Sequence, residues 1–469
     1  MIPCLQLMFA SLAALPARTT AAIQRPPIGW GLAATILCGC VFGYEFFHKS
    51  AFSIDRMMVA GVVMWMLVQL WSGQVRWPAL QWGDIFVVGF IALIGLNLLL
   101  TDWRYDDNKP VIIYIFYYLF PLAFYFVIRC VGHEARTWKI LQWSLVGLGA
   151  YLAFTGFCEA RDMTGFVFPK YILDPSRSEF LGRGRGPFLN PIANGVFQIT
   201  ALACGMVMWK TASPRGRLWV VGFVLLMLVG IWATLTRSNW LGAAPIVALY
   251  VWRMSDWQFR GLGVLAIPFV LVCGYAMFGD KLNAFKRDKD VSVEDMSESA
   301  ELRPFLAIVA KKMVTDRPIL GFGFTQYLKH SRPYHFHAVE NDLPLQKVMK
   351  YVQHNTFLAY AVELGLVGLG AFLLIIVPAM WASLRLWLNP TLPDEVQNVG
   401  FVVFATIFGF AINGMFHDVA IIVMTNMLLY LMIGLLVAVQ GHVLVSANTR
   451  KHSFSNRPAM APLMAAERG

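Results

Sequence analysis

Four short stretches of the chain hold the side chains that could do chemistry. The first is Leu181-Gly-Arg-Gly-Arg-Gly-Pro-Phe-Leu-Asn-Pro191, in which Arg183 and Arg185 alternate with glycines. Glycine lets the backbone approach an anion closely, and each guanidinium can fork onto two phosphate oxygens. A flexible basic loop touching lipid head groups would carry the same signature. The second is Thr236-Arg237-Ser238-Asn239, which interrupts an otherwise very long apolar stretch. An arginine deep in a bilayer costs roughly 2.5–3.5 kcal/mol. Arg237 is therefore either a functional group or an interfacial residue snorkelling to water. The third, Glu301-Leu302-Arg303-Pro304, opens a helix-compatible stretch to Val314, with Pro318 to Phe324 behind it. Arg303 could reach a phosphate or pair with a carboxylate. The fourth, Gln353-His354-Asn355-Thr356, opens another apolar span, followed by Glu363-Leu364-Gly365. An unperturbed histidine titrates near pH 6.5, which suits general-base work; a capping or interfacial histidine would look the same. His330, His335 and His337 also lie nearby, but no Asp, Glu or Cys partner has convincing metal spacing.

These stretches must be positioned by what lies between them. Of the 469 residues, 58% are hydrophobic and only 14% charged, against about 25% charged in a soluble globular chain. That excludes a soluble enzyme, a disordered protein and a secreted disulfide scaffold. The seven cysteines are dispersed, with no CxxC pair, and read as small core residues. Apolar segments fall near 28–47, 54–72, 83–100, 110–128, 139–157, 192–209, 218–235, 238–252, 261–278, 354–382, 399–416 and 418–440. Runs of about 18–20 apolar residues span a bilayer, so the expectation is an all-α polytopic membrane protein with about 12 transmembrane helices. The seventh and eighth spans meet in a tight hairpin at Thr236-Arg237, and the last two turn at His417-Asp418.

An even span count puts both termini on one side. With the ends inside, the cytoplasmic segments hold sixteen Lys and Arg, against five in the short outer turns and span ends. The positive-inside rule selects that orientation. The net charge of +11 then reports topology and not a nucleic-acid partner. The predicted organisation is a cytoplasmic lead at 1–27, spans one to nine over 28–278 with an outer loop at 158–191, a large outer helical cap at 279–353, three more spans over 354–440, and a cytoplasmic tail at 441–469. The acidic pair Asp106-Asp107 reads as a solvated outer turn. All four motifs converge on one membrane face at head-group depth. A lipid-linked phosphate or pyrophosphate is the natural ligand for several arginines there.

In this arrangement the chain resembles the O-antigen ligase/O-antigen polymerase superfamily, and the ligases most closely. The resemblance rests on Arg183 to Pro191, Thr236 to Gly242, Arg303 to Gly323 and His354 to Gly365, in the family's order and with its long outer loop before the histidine. It covers roughly residues 110–440. Two departures stand out: the second arginine of the Arg183-Gly-Arg185 run, and Pro304 after Arg303, where the family more often has a helix former.

The resemblance implies a membrane-embedded glycosyltransferase of the GT-C-like type in the bacterial inner membrane, with one large periplasmic loop and the active site at the periplasmic face. It implies a glycan donor on undecaprenyl pyrophosphate, a lipid A–core acceptor in lipopolysaccharide biosynthesis, and neither metal, cofactor nor nucleotide-sugar donor. The essential histidine maps to His354, and the pyrophosphate-binding arginines map to Arg183 or Arg185, Arg237 and Arg303. His354 would take the proton of an acceptor hydroxyl that attacks the anomeric carbon, with inversion; alternatively it would bind phosphate as imidazolium. Within the superfamily the rivals are a polymerase and a pilin-type oligosaccharyltransferase; the latter carry an extra C-terminal portion, whereas a short tail follows the last span here. A transporter of an anionic lipid would place charges near the bilayer midplane and often show inverted repeats, and the sequence has neither.

Overall fold

In a bilayer every backbone polar group must be satisfied within its own segment, so long apolar runs fold as helices. The computed structural model describes residues 28–49, 54–101, 109–177, 179–254, 293–335 and 351–455. The predicted lead at 1–27, the span at 261–278, Asp106-Asp107, His337, the 279–292 and 336–350 parts of the large loop and the tail beyond 455 lie outside the described residues. Within them the chain is helical and contains no strand. The long helices are α1 (Ile28–Lys49), α2 (Ile54–Trp71), α3 (Trp82–Leu100), α4 (Pro110–Val131), α5 (Ala135–Ala160), α6 (Pro191–Lys210), α7 (Pro214–Ala233) and α8 (Arg237–Met254). They continue with α9 (Val293–Asp316), the short α10 (Tyr327–Ser331), α11 (Thr356–Leu388), α12 (Asp394–Phe416) and α13 (Val423–Ser455). Eight of them, α3 to α7 and α11 to α13, are long and apolar enough to cross a membrane, and Ile28–Phe42 and Arg56–Trp71 are shorter apolar helices.

Local chemistry sets the helix ends. Proline opens α4, α6 and α7, where its missing N–H belongs to the unpaired first turn anyway. Asn190 caps α6, its Oδ1 accepting from Ile192 N and Ala193 N at 2.9 and 3.1 Å. Within α4, Pro121 forces a π-helical turn at Ile115–Leu119, because its ring cannot sit against the carbonyl four residues back. That carbonyl belongs to Tyr117 and accepts from Asn426 Nδ2 of α13 at 3.2 Å.

Helix α6 is the centre of the bundle: every residue from Pro191 to Met206 is buried, and it packs against α5, α7, α8 and α12. The rim keeps large apolar groups outward, among them Trp71, Trp219 and Leu99, as lipid-facing surfaces do. Four of the five described cysteines are buried, and all five are free thiols.

The predicted cap helix is longer than expected. It runs Val293–Asp316, with Pro304 in its interior and not at its start. The apolar stretch after Pro304 is what marks the packed half: Phe305, Leu306, Val309, Ala310 and Met313 form a small core with Phe322, Tyr327 and Val362.

At the end opposite the four motifs, a buried ion pair ties α3 to α4. Arg129 Nε meets Asp84 Oδ1 at 3.0 Å with both side chains almost fully enclosed. Tyr125 OH and Gln81 N also donate to this carboxylate, at 2.6 and 2.7 Å. Removing one partner of a buried pair strands the other charge, at about 3–5 kcal/mol. Asp84→Ala should therefore lower the detergent-solubilised protein's melting temperature sharply. The Asp84→Leu, Arg129→Met double variant should recover most of the loss.

Candidate functional site

The glycine-arginine run and the Thr-Arg-Ser turn fold onto each other. Helices α7 and α8 are joined by Thr234–Thr236, with Leu235 in the left-handed region. Gly184 N donates to Ala233 O at 2.8 Å. Arg183 Nη2 donates to Thr236 Oγ1 at 2.7 Å, and its Nε lies 3.3 Å from Thr234 O. Its guanidinium also lies over the Phe180 ring, 5.0 Å from the centroid. Arg183 thus braces the turn from beneath. The turn presents Arg237, which is exposed, at the N-terminus of α8, where helix polarity favours an anion.

Arg185, two residues from Arg183, is fully buried. Its Nε meets Glu159 Oε1 at 2.8 Å. Its Nη1 donates to the carbonyls of Arg177 and Glu179, and its Nη2 to that of Ile172. The second oxygen of Glu159 accepts from the backbone N–H groups of Arg185 and Gly186, at 2.8 and 2.9 Å. Arg185, expected with Arg183 as a candidate for the pyrophosphate, thus has its donors engaged by protein acceptors away from the surface.

His354 stands just before α11 with φ +45°, a left-handed conformation that side-chain-bearing residues rarely hold. The next residue secures it: Asn355 caps α11 through Leu358 N at 2.9 Å and donates to Met415 O at 2.8 Å. The His354 ring faces Tyr351, with centroids 5.9 Å apart. Burial lowers the imidazole's pKa below the usual histidine value, and the positive charge of Arg303 lowers it further. The third and fourth motifs are thus electrostatically coupled.

Glu363-Leu364-Gly365 packs against the cap. Gly365 has φ +70° and breaks α11 into two helices. The carbonyls freed there accept from the cap: Phe322 N to Val362 O and Gly323 N to Glu363 O, both at 2.9 Å, while Leu366 N donates to Pro318 O at 2.7 Å. A Cβ on Gly365 would stand 2.1 Å from Ile319 O, and one on Gly321 2.5 Å from Val362 O. The Pro318–Phe324 run and the Glu-Leu-Gly run are two halves of one joint that fixes the cap beside His354.

Asp418, which the sequence left in a simple turn, also arrives here. Thr356 Oγ1 lies 3.2 Å from Asp418 Oδ1 and accepts from Val419 N at 2.8 Å. Burial pushes the Asp418 carboxyl up to about 6, partly offset by Thr356 and the Ala420 N–H. Ser238 Oγ donates to Asn413 Oδ1 at 2.7 Å, which links the Arg237 turn to the end of α12 and so to the His417-Asp418 turn. A polar pair between two apolar spans was the only sequence signal for Asp418. His335 is buried, with no hydrogen bond to either ring nitrogen among the described residues, and the His330 ring lies tilted against Phe322, centroids 5.4 Å apart. Among the described residues no group of three His, Cys, Asp or Glu could hold a metal.

The site thus has a histidine whose pKa is lowered by burial and by Arg303, and the Arg237 turn is tied through Ser238 and Asn413 to the α12 end that Asn355 also contacts. Such a site can bind an anionic leaving group and accept a proton. Residues 221–373 match the family model described as O-Antigen ligase. The matched span contains the Thr236, Arg303 and His354 motifs and lies C-terminal to the Arg183–Pro191 run. No curated protein matches the chain.

Proposed function

From the O-antigen ligase match as premise, we propose that this protein transfers a glycan from undecaprenyl pyrophosphate to an outer-core sugar hydroxyl of lipid A–core, at the periplasmic face of the bacterial inner membrane. Members of the matched family are membrane glycosyl-transferring enzymes, ligases or polymerases. The observation that supports the reading is His354 itself, held in a left-handed turn at the start of α11 inside the matched span, with Asn355 and Thr356 tying that turn to Met415 and Asp418. A lowered pKa leaves the imidazole neutral and able to accept a proton at pH 7.

The acceptor hydroxyl gives its proton to His354 Nε2 or Nδ1 as its oxygen attacks the anomeric carbon. The bond from that carbon to pyrophosphate breaks, and both bonding electrons leave with the undecaprenyl pyrophosphate. Attack opposite the leaving group inverts the anomeric centre. Arg237 and Arg303 neutralise the charge that develops on the leaving oxygen. Arg183 and Arg185 act as positioning residues: Arg183 holds the turn that presents Arg237, and Arg185 anchors the loop. In this reading the arginines meet the need for positive charge without a metal, so excess chelator should leave the rate unchanged.

Purified protein with undecaprenyl-pyrophosphate glycan and lipid A–core tests the assignment. A glycan-dependent gel shift of the core lipid is expected. A ladder on the undecaprenyl carrier without core would make the protein a polymerase, and absence of any covalent product would overturn the reading. The pH profile tests the role of His354. A base must be deprotonated, so the rate should rise with pH through a midpoint below about 6.5 and then level off. Asp418 titrates in the same range, so the rise should persist in Asp418→Asn. A rate that falls through this range would make His354 a cationic phosphate ligand.

A further inference from the structure

Away from His354, the joint between cap and bundle encloses a second feature at the motif end. Among the described residues, a cavity of about 290 Å³ opens between the end of α3 and the Arg317–Gly323 run. Leu93, Leu96 and Leu100 form one wall, and Leu320, Phe322 and Leu364 the other. Arg317 stands at its rim, exposed, with its guanidinium 4.8 Å from the Phe322 ring centroid. The walls are preformed. Asn97 of α3 donates to Leu320 O at 3.1 Å and accepts from Phe324 N at 2.8 Å, so one side chain pins both strands of the rim. A Cβ on Gly323 would lie 2.4 Å from Thr101 Cγ2, so the segment is seated against α3 without slack. Leu99, Leu100 and Ile319 next to the opening are strongly exposed, which makes the groove continuous with the lipid-facing surface.

An apolar slot open to the bilayer with a cation at head-group depth is complementary to a lipid chain joined to a phosphate. We propose that this groove seats the lipid part of the acceptor, with an acyl chain between α3 and Leu320 and a phosphate on Arg317. The proposal rests on the transfer reading above. Arg317 directly follows the end of α9, fourteen residues beyond Arg303, about 21 Å at 1.5 Å per helical residue. The donor's pyrophosphate is bonded directly to the reacting carbon and must lie beside His354, so it cannot also occupy Arg317. An acceptor whose reactive hydroxyl lies several sugars from its lipid would bridge that separation.

Arg317→Glu removes the cation, Leu96→Trp fills the slot, and Arg317→Lys keeps the charge. Each is reconstituted in phosphatidylcholine nanodiscs, with its melting temperature compared to wild type. The acceptor KM should rise about tenfold in the first two, as for loss of one charged contact, while the donor KM stays constant and Arg317→Lys restores most of the affinity. Lipid A alone, which carries no acceptor sugar, should bind wild type and not Arg317→Glu by native mass spectrometry. A raised donor KM would assign the groove to the donor's isoprenoid chain. Equal displacement of lipid A by phosphatidylglycerol, or unchanged kinetics in all three, would make it a general lipid contact. Either outcome overturns the proposal. If wild type binds lipid A here but transfers nothing, the transfer reading fails and the groove's preference stands.

Discussion

His354→Asn protein should fold and bind both substrates but transfer glycan about 10²–10⁴-fold more slowly than wild type, the usual cost of losing a general base. Asparagine is the informative replacement because His354 has φ +45°. Asn tolerates the left-handed region better than Ala, so the variant keeps the turn that starts α11 while losing the titrating group. The ring is only partly enclosed and its one described ring contact is Tyr351, so little packing is lost. The melting temperature should stay close to wild type. Single-turnover rates at saturating donor and acceptor measure the step itself. A companion variant probes the electrostatics. Arg303 helps to lower the His354 pKa, so Arg303→Gln should move the midpoint of the pH profile upward as well as slow transfer. A His354→Asn protein with near wild-type turnover would remove the histidine from the chemistry altogether.

The residues that took part in this reasoning differ in how visible they are in the sequence. Hydropathy locates the helices, because a bilayer leaves the backbone no other option, and α6 begins at Pro191 within a residue of the apolar segment. Motif order brings the helix starts at Arg237 and His354 to one end, where both reach the C-terminal end of α12. Residue type does not reveal which donors are already engaged. Arg183 and Arg185 look equivalent in the sequence, yet one braces a turn and the other is enclosed with Glu159. The acid that decides the matter stands twenty-six residues earlier, at the end of an apolar helix. Charge counting has the same blind spot. Arg129 weighs in the inside bias, but in the fold it is buried against Asp84 and contributes no net field. Gly365 reads as part of a chemical motif, whereas its positive φ and the carbonyls it frees show a mechanical joint. Asp418 was hidden because its partner, Thr356, belongs to another helix.

The contrast between an exposed and an enclosed arginine yields the second large expected effect. Arg237→Ala should leave stability within about 0.5 kcal/mol of wild type, as for an exposed surface change, and slow transfer by about 10²–10³, as for loss of one oxyanion-type donor. Arg185→Ala should behave in the opposite way. It leaves Glu159, enclosed and otherwise bonded, among the described residues, to two backbone N–H groups, without its counter-charge, at about 3–5 kcal/mol. Its melting temperature should drop and its activity should fall only as the folded fraction falls. Glu159→Ala should do the same, since it strands Arg185 instead. The Glu159→Gln, Arg185→Met pair should regain part of the stability, because an uncharged pair carries no ionic desolvation penalty. Arg183→Ala should fall between the two. It frees the Thr234–Thr236 turn that aims Arg237, so it should raise the donor KM as well as reduce turnover. Thermal melts and donor-dependent rates on the same preparations separate these patterns. If Arg185→Ala and Arg237→Ala lost equal rate at unchanged stability, both guanidinium groups would have to reach the pyrophosphate. The loop around Arg185 would then have to open during turnover, breaking its contacts with Glu159, Ile172, Arg177 and Glu179.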